Sequence, residues 1–138
     1  MCALTPWLAQ QDFPGLHARA INGDTPLMAA AWRGEYAIVS GLLARGADAR
    51  AVNDDGNTAL WFACLHGNPA IIRRLIAAGT PIDHANDDGM TCLMQVASSG
   101  CQSLRKLLLA HGALAHLRAP DGRSALEMDD YRRLKFHA

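Results

Sequence analysis

No stretch of the sequence is apolar for long enough to cross a bilayer, and no basic start leads into a long apolar run. A membrane span or a secretory leader is therefore not expected. Net charge is missing too. Thirteen acids balance thirteen Lys and Arg, so no global field draws nucleic acid or a lipid surface. The four cysteines, Cys2, Cys64, Cys92 and Cys101, include no C-x-x-C pair. Cys64, His66, His111 and His116 show neither finger-like nor HExxH spacing, which a closed metal shell would need. No G-x-S-x-G elbow and no phosphate-binding glycine loop occurs. These absences remove the usual classes of enzyme and metalloprotein, and no catalytic residue, metal or cofactor is expected.

What the chain does have is a repeat. Thr25, Thr58, Thr91 and Ser124 are 33 residues apart, as are Leu27, Leu60, Leu93 and Leu126. Gly34, Gly67 and Gly100 keep the interval, and so do Gly46, Gly79 and Gly112. Gly23, Gly56, Gly89 and Gly122 form a third series. A period in this range signals stacked units.

Each landmark has a physical task. Thr25-Pro26 opens a helix, because the hydroxyl caps free N–H groups and proline suits the first turn. Leu27, Ala30 and Ala31 follow, the small residues permitting close approach, and Gly34 ends the helix. A second helix is predicted from about Glu35 to Arg45, with Ile38, Val39, Leu42 and Leu43 on one apolar face. Residues 47–57 then form an extended turn closed by Asp55-Gly56. One such unit cannot bury its own apolar face, but neighbours in a stack can.

The pattern G-x-T-P-L, then A-A, G, and I-V-x-x-L-L-x-x-G-A-D is nearly complete from Gly23 to Asp48. It persists, degraded, in Gly56 to Asp83 and Gly89 to Ala113. It resembles the ankyrin repeat. The resemblance implies an all-α fold, an ankyrin-repeat α-solenoid of helix-turn-helix units with protruding β-hairpin loops. It implies one domain over 1–138: an N-terminal helical cap (1–19), repeats 1 (20–52), 2 (53–85) and 3 (86–118), and a C-terminal cap (119–138).

Departures from the pattern carry further expectations. Residues 5–12 read as a helix covering the open side of repeat 1, with Trp7, Leu8 and Phe13 as its apolar side. The turn from Leu16 to Asp24 looks two residues short, which predicts a blunt tip. Repeat 2 replaces proline by Ala59 and sets Trp61-Phe62 in the seam. Met28, Trp61 and Met94 stand where the family usually has a hydrogen-bonding histidine, so apolar packing is expected there instead. Asp129 and Asp130 fall on positions that a further repeat would bury, an unfavourable place for two carboxylates, so the stack should end there. Cys64 and Cys92 fall on small buried positions, which suits a reducing, cytoplasmic setting.

Ankyrin-like stacks usually hold partners by their hairpin tips and by exposed residues of the first helices. Carrying those positions over nominates Asn22, Asp24, Asp54, Asp55, Asn57, Asp87, Asp88 and Met90 on the tips. The first helices contribute Trp32, Arg33, Leu65, His66, Ser98 and Ser99, and the last segment contributes Arg123 and Arg132. Trp32 is either a binding anchor or a cover for the N-terminal helix. The twin Asn-Asp-Asp-Gly tips at 53–56 and 86–89 are either grips for a basic partner or simply good turns; they lack the ligand order of a calcium loop. Charge is uneven along the chain: residues 53–90 hold five acids against two arginines, and residues 101–138 hold seven Lys and Arg against four acids. The basic run at 131–135 reads as a solvated terminal helix. The expectation is a non-enzymatic module, monomeric by itself, that binds an unidentified protein partner through its concave face and takes neither nucleic acid nor membrane. An alternative is a regulator or inhibitor that occludes the active site of a cytoplasmic enzyme.

Overall fold

A computed structural model of the chain describes residues 4–11, 13, 15, 18–20 and 22–128. Among them run seven helices: α1 (Leu4–Gln10), α2 (Pro26–Arg33), α3 (Tyr36–Ala44), α4 (Ala59–His66), α5 (Pro69–Ala77), α6 (Cys92–Ser99) and α7 (Gln102–Ala110). A further helical turn opens at residues 125–128. The fold is all-α, as the repeat implies, and no described helix is long and apolar enough to cross a membrane. The chain divides into two compact units, Met1–Pro81 and Ile82–Ala138.

In the first unit, α2 packs on α4 and α3 on α5, while α2–α3 and α4–α5 form the two helical pairs. Leu27, Ala30, Ala31, Leu60 and Ala63 are fully or almost fully buried, so the first helices meet through leucines set among alanines. Val39, Leu42, Ile71, Ile72 and Leu75 fill the layer beside them. The apolar face predicted for α3 is present; its Leu43 is only half-buried. Asn68 caps α5, its Oδ1 accepting from the Ala70 and Ile71 N–H groups, with Pro69 in the first turn. Helix α1 packs on α3. Trp7 and Phe13 are buried with their rings stacked at 6.4 Å, and the Trp7 indole donates to the Glu35 carboxylate. The expected N-terminal cover is thus present.

The second unit pairs α6 with α7 around Leu93, Met94, Val96, Ala97, Leu104 and Leu108. Ala125 and Met128 are buried as well, but Leu126 is 36% exposed where Leu27, Leu60 and Leu93 are at most 2%. The repeating seam position therefore opens to water at the fourth copy. Asp129, Asp130 and the run at 131–135 lie outside the described residues.

The histidine-like positions resolve differently from the expected apolar packing. Met28 and Met94 are buried, but each also closes a cap. Thr25 Oγ1 accepts from the Met28 N–H, and the Met28 sulfur accepts from the Thr25 N–H at 3.4 Å. Thr91 and Met94 repeat the pair. A thioether is a weak acceptor, but it serves a buried N–H that would otherwise be orphaned. At Trp61 no such acceptor exists, and Thr58 makes no side-chain cap bond.

The β-hairpins are not confirmed. Each linker tip is a five-residue turn, closed by Ala20→Asp24, Asn53→Asn57, Asn86→Met90 and Ala119→Arg123 backbone bonds of 2.8–3.0 Å. Among the described residues no strand ladder extends from them; one isolated bridge joins Arg118 to Ser124. The Asp54 N–H bonds to the Asn22 carbonyl and so ties the second tip to the first. Nor is the first tip blunt, since it is closed by the same two bonds as the others.

Truncation inside the seam should be expensive. Leu60→Ala is expected to lower the stability of the first unit by about 2–5 kcal/mol, read as a fall in the urea midpoint. A surface-sized loss at Leu60 would show that α4 is not packed in this register.

Candidate functional site

Asn53, only 7% exposed, is the keystone of its tip. Its Oδ1 accepts from the N–H groups of Asp55 and Asn57, and its Nδ2 donates to Asp24 Oδ1 at 2.8 Å. Asn86 Oδ1 makes the same two backbone contacts, to Asp88 and Met90. A side-chain acceptor held over its own turn is what makes Asn a turn former. Gly23 lets the tips meet in the first unit. It has φ of 83°, and a Cβ there would stand 2.5 Å from Asp54 Oδ1 and 2.9 Å from the Asp54 nitrogen.

These bonds sort the nominated tip residues. Asn22 is exposed and Asp24 half-buried, and both are hydrogen-bonded: Asn22 Nδ2 donates to Asp24 Oδ2, and Asp24 also receives Asn53. Asn57 and Met90 are half-buried and help close their turns. Asp54, Asp55, Asp87 and Asp88 are exposed. Their carboxylates make no hydrogen bond or ion pair among the described residues, so the turns stand without them. Arg19 binds the carbonyls of Gly23 and Val52 and braces the tip from behind.

On the first helices of the first unit, water reaches one strip and the last turn. Trp32 is 53% and Leu65 39% exposed, at the same repeat position of α2 and α4. Three residues earlier on each helix, Ala29 and Phe62 are half-exposed. Spacing of i, i+3 puts each pair on one face. Phe62 meets Trp32 edge-to-face, with ring centroids 6.0 Å apart and planes at 87°. Trp32 thus leans on Phe62, while Trp7 of α1 stacks on Phe13. The contact contributes about 0.5–1.5 kcal/mol and holds the indole in place while leaving much of it open. Phe62 was missed from sequence because its neighbour Trp61 made the pair look like seam. The signal was available: Phe62 is three residues before Leu65 and 33 after Ala29.

The far end of the strip carries an arginine. Arg33 and His66 are exposed there. The His66 imidazole lies over Gly34, where a Cβ would fall 2.1 Å from Nε2. Cys64, two residues earlier, is buried, so it does not share that face.

In the second unit, Ser98 and Ser99 are exposed at the end of α6. Ser99 Oγ donates to the Val96 carbonyl, and Ser98 Oγ lies 3.6 Å from the Met128 sulfur. Arg123 forms an ion pair with Asp121 at 2.8 Å. The Asp121 carboxyl is held below its ordinary value, first by the Arg123 backbone N–H and then by its guanidinium. Arg132 lies outside the described residues. The structure therefore gathers Trp32, Leu65, Arg33, His66, Asp54 and Asp55 on the exposed surface of the first unit, and adds Phe62.

Compared with protein families, residues 27–119 match the model for ankyrin repeats, in three copies. No curated protein matches the chain.

The division of labour within the tip is testable. Asn53→Ala should cost about 1–3 kcal/mol, because it orphans two N–H groups and uncouples Asp24. D54N/D55N should melt within about 0.5 kcal/mol of the parent. Equal losses in a urea melt would refute the separation of turn-building from exposed residues.

Proposed function

Because the chain belongs to the ankyrin-repeat family, whose repeats are in general protein–protein interaction modules, we propose that it works by docking a partner protein on the open strip of α2 and α4. The observation that carries this is Trp32: a large side chain, half in water, fixed by an aromatic neighbour and flanked by a second exposed apolar residue. Tryptophan and arginine dominate binding energy when a partner covers them, and an exposed apolar strip marks a contact surface.

The proposed mechanism is rigid docking. The α2–α4 seam is buried and the indole is already braced by Phe62, so little side-chain freedom remains to be lost on binding. Arg33, His66 and the tip acids form a polar rim around the strip. No catalytic role is assigned to any residue. Cys64 and Cys92 are both buried, which fits the proposed cytoplasmic setting.

A W32A/L65A double variant should fold with unchanged helix content and lose at least about ten-fold in affinity for partners captured by the parent chain. Undiminished capture by the folded double variant would show that the docking surface lies elsewhere.

A further inference from the structure

We propose that the partner presents to this strip a linear basic segment: one aliphatic or aromatic side chain seated against Trp32, Phe62 and Leu65, with lysine or arginine on one side of it facing Asp54 and Asp55. The inference rests on the docking reading above and adds the chemistry of the occupant.

Charge complementarity argues for it. The strip is bounded by opposite charges: exposed Asp54 and Asp55 at the tip, exposed Arg33 at the end of α2. The two carboxylates have no partner among the described residues, and Asn53 and Gly56 build the turn without them. The nearby Arg19 directs its guanidinium to the carbonyls of Gly23 and Val52. Arg73 and Arg74 stand on the second helix of that repeat, α5.

Reach agrees with charge. Helix α4 starts at Ala59, directly after the tip, so Phe62 and Leu65 lie about 4.5 and 9 Å along its axis at 1.5 Å per residue. An extended segment advances about 3.3 Å per residue. A cation two or three positions from the seated apolar residue therefore comes level with the tip. Because the opposite end carries Arg33, the basic flank belongs on one side only, and the segment has a direction.

The probe is a library of random twelve-residue peptides displayed on phage, selected on the full chain and counter-selected on W32A/L65A. The expected sequences carry an apolar residue with Lys or Arg within about three positions on a consistent side. Synthetic versions should bind D54N/D55N about ten-fold more weakly at low salt and with a flatter salt dependence. D54K/D55K should shift selection toward acidic flanks, a gain that misfolding does not produce. Binders that need Trp32 and Leu65 but carry neutral or acidic flanks, or ignore D54N/D55N, overturn the basic class and leave the docking surface standing. Binders indifferent to W32A/L65A, or no enriched binders at all, overturn both.

Discussion

Close approach of α2 and α4 is the constraint on which the first unit depends. Ala30, Ala31, Ala63 and Cys64 are small enough to let the two backbones draw together, and Leu27 and Leu60 interlock between them. Interiors pack at near-crystalline density, so larger side chains at those positions would separate the helices. With the seam closed, water reaches the first helices on one strip and at their last turns. The surface open to a partner is therefore a by-product of how the core is built.

The tips obey a second rule, that buried backbone donors must be answered. Asn53 answers two of them with one carbonyl oxygen, and Asn86 does likewise. Since asparagine and glycine suffice for the turn, the paired aspartates beside them are free of structural duty. That separation turns an ambiguous Asn-Asp-Asp-Gly string into two kinds of residue, builders and exposed charges.

Helix positions and their small-residue seam were legible in the sequence, because a 33-residue period ties each to a repeated chemical task; the exposure of Leu126, which continues the leucine series, was not. The strip's composition was legible only in part. Trp32 and Leu65 follow from the repeat positions, but the contact of Phe62 with Trp32 is a tertiary fact, since Trp61 and Phe62 are both half-exposed. Asn22 and Asp24 were nominated as polar turn residues; that Asp24 also receives Asn53 from the next repeat is a tertiary fact that no local pattern contains. The methionine caps were hidden for a similar reason, since sulfur is rarely read as an acceptor. The expected hairpins are not confirmed: the tips are closed turns with no strand ladder among the described residues.

The ties across the first unit all have nearly the same reach along the chain. Trp7 to Glu35 spans 28 residues, Asp24 to Asn53 29, Ala49 to Thr80 31, and Arg19 to Val52 33. Loop-closure entropy grows only slowly with length, so each tie meets a similar, modest entropic opposition. Assembly can then proceed like a zipper, each added segment finding its mate in the one just laid down. During synthesis, the first two segments could lock together while the remainder is still on the ribosome.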